Sequence, residues 1–160
     1  MTIPPDFADH CLYAPDCWFV DAVEHLDAEC VRVRVDTLRL GPFVDAQVVR
    51  RGHPKHVPGA VMVQLTGTLG SLHAVYGLGL RDHVGYGTHI KSARFPTLGR
   101  IGPGMWAELR VIRIRRLRGR VFSEYRFEYW QEAPNGERAV VYASEQAAIW
   151  MPGELAETAT

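Results

Sequence analysis

This sequence carries no net charge, because 18 Lys and Arg residues balance 18 Asp and Glu residues over 160 positions. A general nucleic-acid-binding domain is expected to be basic, so the balance predicts no nucleic-acid partner. Cysteine is scarce as well, since Cys11, Cys17 and Cys30 form no C-x-x-C pair. An odd, scattered set predicts neither a disulfide framework nor a zinc site. His73 and His89 have no second ligand at metal spacing, so we expect no metal.

The chain also lacks the features of a secreted or membrane-spanning protein. No basic stretch followed by an apolar run opens it, so we expect no secretion signal and a cytoplasmic location. Residues 57–80 contain no Asp, Glu, Lys or Arg and are long enough to cross a bilayer. Five glycines, Gln64 and His73 lie within that stretch. They favour a helix buried inside a domain, and no membrane partner is expected.

Composition and length are those of one globular domain. Apolar residues make up 47% of the chain and charged residues 22%. Residues 1–16 are rich in Pro and Asp and predict an irregular lead-in. Residues 17–151 are expected to form the domain, and residues 152–160 an acidic, frayed tail.

Alternation of apolar and polar side chains predicts strands before the uncharged stretch. Valine alternates with charged residues over residues 30–36, the period of a strand with one wet side. Residues 18–23 form a shorter apolar run that predicts another strand. Gly41-Pro42 breaks the chain, and a second short extended piece is expected to run through Val49.

The part of the chain after Gly85 is typical of β-structure. Four long strands are predicted there, over residues 86–95, 105–117, 120–131 and 138–150. Pro134-Asn135-Gly136 predicts a hairpin turn between the last two, because Asn-Gly tolerates positive φ.

Between these two groups of strands the sequence predicts one helix. Pro58 suits a first helical turn, where its missing N–H costs nothing, and residues 60–77 continue the helix. The outline is two strands, a helix and four strands joined by meander-type connections. A strongly bent antiparallel sheet around one helix satisfies that outline. It leaves the far sheet edge and the open side of the helix to be covered, most simply by a second copy.

This order and three local motifs resemble the hotdog-fold acyl-thioester enzymes. Phe19-Val20-Asp21-Ala22-Val23 is similar to the opening strand of FabA/FabZ-type 3-hydroxyacyl dehydratases. Gly52-His53-Pro54, leading into Val57-Pro58-Gly59 and a helix with Gln64, resembles that family's Gly-His loop and central helix. Ala93-Arg94-Phe95 with Ile101-Gly102-Pro103-Gly104 resembles its third motif.

Two departures distinguish the chain from those dehydratases. The loop between His53 and Pro58 is shorter, and Gln64 stands where the dehydratases carry Glu or Asp. A short loop and an amide on the helix look more like the FcoT-type long-chain fatty acyl-CoA thioesterases. In that family a Gly-His also leads into the helix, and an Asn-Gln pair stands near this place.

The resemblance implies an α+β hotdog fold, with a strongly curved antiparallel sheet wrapped around one long central helix. It implies a homodimer, or a tetramer of paired dimers. The expected activity is hydrolysis of acyl-CoA or acyl-carrier-protein thioesters. No cofactor is expected beyond the coenzyme A or phosphopantetheine that carries the substrate.

Catalysis is assigned to His53, as base for a water, and to Gln64, which holds that water or a thioester oxygen. His53 and Gln64 are expected to meet across the dimer interface. The free N–H groups at the helix start would bind the carbonyl oxygen. The substrate-binding residues are predicted to be His56, a rival base, with Val57, Gly59, Met62, Val63 and Leu69.

A run of arginines follows on the long strand, and Arg113, Arg115 and Arg116 are its candidates for function. They are predicted to contact coenzyme A phosphates or the acidic surface of an acyl carrier protein. A solvated, charge-protected strand edge and a single-stranded nucleic-acid contact remain alternatives.

Three other functions stay open from the sequence. A 3-hydroxyacyl-thioester dehydratase would need an acid that Gln64 does not supply. A catalytically silent hotdog subunit would bind acyl chains or partner an active paralogue. A nucleic-acid binder would depend on the arginine run and on low salt.

Overall fold

A computed structural model describes residues 1–153, in which six strands form one antiparallel sheet. The strands are β1 (Ala22–Leu26), β2 (Cys30–Val35), β3 (His83–Arg94), β4 (Met105–Leu117), β5 (Arg120–Glu132) and β6 (Arg138–Pro152). Their spatial order is β1-β2-β4-β5-β6-β3. Between β2 and β3 lie a short helix α1 (Pro42–Asp45) and a long helix α2 (Gly59–Leu72), which continues as a π-helical turn over His73–Gly77.

Helix α2 crosses the sheet, and this crossing accounts for its central position. Strand β2 lies next to one edge, whereas β3 forms the opposite edge, so the chain between them must span the sheet. Where the helix packs on the sheet, its residues Leu65, Leu69 and Leu72 are fully buried. The predicted architecture, a curved antiparallel sheet around one central helix, is confirmed.

The side chains on the inner face of the sheet can be identified because buried and exposed residues alternate along the strands. Val31, Val33 and Val35 of β2 have no exposed surface, whereas Arg34 is exposed. Each buried valine contributes roughly 1.5–3 kcal/mol through removal from water. Strand β5 repeats the pattern with a buried side chain at every second position from 121 to 131.

The strand boundaries in the second half agree closely with the sequence prediction. Strand β4 begins and ends at the predicted residues, and β5 extends only one residue further. Arg118 and Gly119 join them with φ values of 49° and 75°, as a two-residue type I′ turn requires. The Pro134-Asn135-Gly136 turn joins β5 to β6, with Gly136 at φ 79°.

Three sequence predictions about the fold were wrong. The strand expected over residues 18–23 begins only at Ala22 and runs to Leu26, because Phe19 has a φ of 60°. The extended piece expected to reach Val49 is replaced by α1, with Gly41 at φ 59° before it and Pro42 at its first position. The last four strands are not a simple meander: β3 pairs with β6, because α2 delivers the chain to the far edge.

The lead-in packs on the end of the helical segment. Phe7 is fully buried, with its ring centroid 4.8 Å from that of Trp18 and 6.2 Å from that of Tyr76. Asp6 accepts a 2.8 Å hydrogen bond from the Tyr76 hydroxyl and pairs with Arg81 at 2.6 Å. These contacts tie residues 5–18 to the turn after α2.

The expected tail falls largely beyond the structure. Pro152 closes β6, and residues 154–160 lie outside the described residues. None of the helices described over residues 1–153 is long and apolar enough to cross a membrane.

A buried histidine links the π-helical turn to the sheet. His73 Nε2 lies 3.0 Å from the Ala28 carbonyl oxygen, which can only accept, so this nitrogen carries the proton. His73 Nδ1 then accepts from the Tyr125 hydroxyl at 3.1 Å. Burial lowers the pKa of His73, against a smaller opposing contribution from the Ala28 hydrogen bond.

We predict a pH-dependent stability that His73 contributes. Because its pKa is lower in the folded chain than in the unfolded one, the unfolded chain binds the proton first as the pH falls. The contribution is fully present above the ordinary imidazole value of about 6.5 and is lost below it. Urea unfolding from about pH 7.5 to about pH 5.5 should show a falling free energy of unfolding, and His73→Gln should flatten that fall. An unchanged slope in the variant would contradict this assignment.

Candidate active site

The amino end of α2 carries hydrogen-bond donors that the fold leaves free. Pro58 precedes the helix, and no side chain caps it. The Pro58 carbonyl accepts from the N–H groups of Val61 and Met62, at 3.0 and 3.3 Å. Within residues 1–153 no partner is recorded for the N–H groups of Gly59 and Ala60. These donors lie at the positive end of the helix dipole, a suitable place for a developing negative charge.

An exposed aromatic ring lies beside these donors. Phe95, just after β3, has 51% of its surface exposed. A β-carbon at Gly59 would lie 3.1 Å from Phe95 Cε1, so the ring packs closely against the helix start and would have to shift slightly for a larger residue there. The N–H of Val57 donates to the Gly99 carbonyl at 2.8 Å and fixes the approach of the chain to α2. The helix start is therefore rigidly placed and open on one side.

Gln64 has a buried amide nitrogen with no hydrogen-bond partner in the described structure. The residue is half-buried on α2, and leaving a buried donor unpaired costs about 1–3 kcal/mol. Gln131, by comparison, uses both ends of its amide. Its Nε2 donates to the carbonyls of Arg100 and Pro103, and its Oε1 accepts from the Arg100 N–H. Gln64 Nε2 thus has unused hydrogen-bonding capacity, and a ligand or a second chain would reach this buried atom only after the side chain turns.

The two candidate bases differ in how they are held. His53 is exposed, and its backbone pairs with that of Arg50 in a tight turn. No hydrogen bond among the described residues joins the His53 side chain to Gln64 or to the start of α2. His56 is more constrained: Gln47 binds its backbone N–H and carbonyl, and its Nδ1 donates to the Pro54 carbonyl at 3.1 Å. A single protomer therefore does not assemble the predicted catalytic pair.

Three of the residues expected to line an acyl site are buried in the core. Val57, Met62 and Leu69 have at most 2% of their surface exposed and belong to the main hydrophobic cluster. Met62 and Leu69 lie on the side of α2 that packs inward, and Val57 lies just before the helix. Val63 is only partly buried and packs against that cluster. These side chains hold the helix against the core. The accessible space near α2 is lined by other residues.

That space is a cavity of about 140 Å³ between α2 and the inner face of β6, here called the inner cavity. Its walls include Thr66, Gly67, Gly70 and Ser71 of α2, Gln146, Ala147, Ala148 and Trp150 of β6, Tyr125 and Phe127 of β5, Gly85, Tyr86 and Gly87 of β3, and Leu12 and Tyr13 of the lead-in. Sequence reasoning missed Thr66 and Gln146. The signal available was the alternation of β6, which places residues 142, 144, 146, 148 and 150 on one face.

A small polar network closes one side of the inner cavity. Thr66 Oγ1 lies 3.2 Å from Gln146 Oε1 and 2.7 Å from the Val63 carbonyl, and it can donate to either. Gln146 Nε2 donates to the Tyr142 hydroxyl at 3.0 Å and to Ser144 Oγ at 2.9 Å. These bonds fix the Gln146 side chain.

The arginine run does not form one continuous patch. Arg115 stands opposite Phe122, and Arg116 stands opposite the buried Val121, so the two side chains lie on opposite faces of the sheet. Arg113 lies 3.8 Å from Glu124 on the outer face. Lys91 also pairs with Glu124 and is the largest cause of the lowered pKa of that carboxyl. The outer face is a mixture of both signs.

Comparison with known proteins establishes the fold. No protein-family model matches the chain, and no curated protein matches its sequence. A dehydratase heterocomplex, ApeI:P from Xenorhabdus doucetiae, matches with a TM-score of 0.64 at 14% identity, over 100% of this chain and 99% of that one. A thioesterase family protein from Silicibacter pomeroyi matches with a TM-score of 0.60 at 8% identity, over 82% and 85%.

A third structure, a hypothetical thioesterase with coenzyme A from Streptococcus pneumoniae, matches with a TM-score of 0.54 at 10% identity, over 82% of this chain and 85% of that one. At such identities the likeness bears on the fold alone. The chain has the hotdog fold, as its sequence motifs predicted.

We predict opposite effects of removing the two buried amides. Gln64→Leu should leave the free energy of unfolding unchanged or raise it by about 1–3 kcal/mol, because it removes an unpaired donor. Gln131→Leu should lower it by about 2 kcal/mol or more, because the N–H and the carbonyl of Arg100 lose their partner and the Pro103 carbonyl keeps only its bond from Thr37. Urea unfolding of both variants measures the difference. Equal destabilisation would mean that Gln64 is fully paired.

Proposed function

We propose that this chain is a hotdog enzyme that hydrolyses acyl thioesters carried on coenzyme A or on an acyl carrier protein. The observation that carries the proposal is the open, uncapped start of α2, with the N–H groups of Gly59 and Ala60 free. A thioester carbonyl oxygen becomes negative when the carbonyl carbon is attacked. Preorganised backbone donors are the groups that stabilise such an oxyanion, and one donor is commonly worth about 10²–10³ in rate.

The proposed reaction uses a water molecule as nucleophile. His53 accepts a proton from the water as its oxygen bonds to the carbonyl carbon. The oxyanion rests on the N–H groups of Gly59 and Ala60 until the carbonyl re-forms and the C–S bond breaks. The sulfur leaves with the pair of electrons and takes the proton back from His53, giving a carboxylic acid and a thiol. The unpaired amide of Gln64 holds the water or the thioester oxygen.

A second copy is proposed to complete this site. Among residues 1–153, strand β3 pairs only with β6, which leaves its other edge unpaired within that range along 12 residues, about 40 Å. Tyr86 and Ile90 are large exposed side chains on this strand. Long free edges of this kind invite pairing with another chain. A homodimer paired along β3 could bring His53 of one protomer to the partner's Gln64.

The group that carries the acyl chain is proposed to be coenzyme A or an acyl carrier protein. A structural neighbour with coenzyme A supports that carrier. Arg113 and Arg115 lie on the outer face, where the phosphates of coenzyme A or an acidic carrier protein could reach them. Arg116 stands opposite buried Val121 on the other face, so it would reach such a ligand only around the end of the strand.

Dehydration of 3-hydroxyacyl thioesters is the second candidate function. It is favoured by the match to a dehydratase heterocomplex over the whole of this chain, against 82% for the two thioesterases described above. Gln64 cannot deliver a proton to a departing hydroxyl. A dehydratase built on this chain would therefore take its acid from another residue or from a different partner chain. In the second case this chain could be the catalytically silent subunit.

We predict that His53→Ala lowers kcat/KM for thioester hydrolysis by at least about 100-fold, because the general base is lost. A panel of acyl- and 3-hydroxyacyl-thioesters should be assayed for free thiol and for enoyl product separately. His25→Ala, an exposed histidine on β1, is the matched control and should keep full activity. Turnover unchanged by His53→Ala would remove this residue from the mechanism. Acyl binding without any turnover would favour the silent subunit.

A further prediction separates the two reactions. Gln64→Glu restores a carboxyl group at the helix position, so dehydration of a 3-hydroxyacyl thioester should rise by about 10-fold or more. Hydrolysis should fall in the same variant, because a charged carboxylate cannot donate to the thioester oxygen. An enoyl-forming rate equal to that of the unsubstituted chain would count against a catalytic position for residue 64.

A further inference from the structure

Two cavities lie near the carboxyl end of α2 and share part of their walls, including one indole ring. The inner cavity measures about 140 Å³ and the neighbouring one, here called the polar cavity, about 180 Å³. Leu12, Ser71, Gly85 and Trp150 contribute to the walls of both. Trp150 is the largest of these four side chains, and only 6% of its surface is exposed.

The indole is fixed in place on three sides. Its Nε1 donates to Ser123 Oγ at 3.0 Å. A β-carbon at Gly70 of α2 would lie 3.6 Å from Trp150 Cζ2, so the ring packs directly on the helix. A β-carbon at Gly85 of β3 would lie 2.1 Å from Trp150 Cζ3 and would overlap the ring. Glycine on both sides leaves a slot that the ring fills, so Trp150 forms a rigid wall.

The two cavities differ in the chemistry of their walls. No residue that lines the inner cavity carries a charge: glycine, alanine and aromatic residues predominate, with the Thr66–Gln146 pair on one side. The polar cavity is lined by Asp9, His10, Arg81, Asp82 and His83. The inner cavity therefore suits an uncharged hydrocarbon segment, and the polar cavity does not.

The inner cavity begins at Thr66, further along α2 than Gly59, Ala60 and Gln64, none of which lines it. Ala60, Gln64, Gly67 and Ser71 recur at helical spacing and lie on the less buried side of α2. From Gly59 to Gly70 the helix rises about 16 Å. An acyl chain whose carbonyl lies at the helix start would run past Gln64 and reach the indole at its far end.

We infer that Trp150 is the end wall of an acyl pocket and sets the longest acyl chain that the protein accepts. The inference rests on the proposed action on acyl thioesters, but it concerns binding and can be tested without turnover. Chains too short to reach the ring gain affinity with every methylene. Longer chains meet the indole and gain nothing further.

The test compares variants that should lengthen the acyl limit, at Trp150, with one that should shorten it, at Ala148. Trp150→Ala opens the wall, and binding of longer chains should then tighten by about fourfold for each methylene added beyond the natural limit. Trp150→Phe, which keeps a smaller ring, should move the limit in the same direction by less. Ala148→Val adds two methyl groups inside the inner cavity and should shorten the limit. Ala143→Val, on the opposite face of β6, is the matched control and should change nothing.

Calorimetric binding of saturated fatty acids from hexanoate to palmitate gives the length profile of each protein. The thioester panel, run on the same proteins, gives turnover. If the longest chain bound shifts in these variants but no protein shows turnover, the proposed role of Trp150 is supported and the proposed function is contradicted. A different result would be turnover with one length profile shared by Trp150→Ala, Ala148→Val and the unsubstituted chain. That result would contradict the proposed role of Trp150 and would still support thioester hydrolysis. Absence of binding at every length would overturn the pocket as well.

Discussion

The structure depends on the passage of α2 from one side of a curved sheet to the other. Strand β2 ends beside one edge, and the next strand of the sheet must be built at the opposite edge. A helix can cross this buried, water-free surface because its backbone N–H and carbonyl groups bond to each other within the helix. The crossing buries most of α2 and leaves its amino end and one narrow side uncovered. Those uncovered parts are where the candidate site lies.

Hydrogen-bonding capacity is left over on this uncovered side. Most buried polar groups in a folded chain find partners, as the Gln131 amide and His73 do here. Two N–H groups at the start of α2 and the Gln64 amide do not, within the described residues. A ligand oxygen or a second protomer would satisfy them. Thr68, His83 and Tyr129 also have a buried polar atom without a partner among the described residues, so unpaired groups are not confined to the candidate site.

Much of the fold could be read from the sequence because it follows from local patterns. Alternation over residues 30–36 and the Asn135-Gly136 turn each specify local geometry, and the structure confirms them. Strand pairing joins residues that are far apart in the sequence, so the pairing of β3 with β6 could not be predicted from local patterns. The strand expected at residues 18–23 begins only at Ala22 because Phe19 adopts a positive φ, a backbone state that its residue type does not signal.

The site was harder to predict than the fold. The sequence singled out Gln64 from a motif, and its unpaired amide fits that assignment without testing it. Met62 and Leu69 were chosen as apolar helix residues, but such residues serve the core first. Thr66 and Gln146 contact each other across 80 positions of sequence. Only the packed structure brings them to one cavity.

The glycines of α2 show how the helix is used along its length. Gly59, Gly67 and Gly70 each face an aromatic ring, from Phe95, Tyr13 and Trp150 respectively. Each glycine inside a helix costs roughly 0.5–1 kcal/mol relative to alanine, so a helix with several of them needs compensation from packing. The rings supply that packing, and their exposure changes along the helix. Phe95 and Tyr13 are 51% and 45% exposed, whereas Trp150 is 6% exposed. The side of α2 is therefore open where a thioester would enter and closed at the far end, as a pocket for a chain of limited length requires.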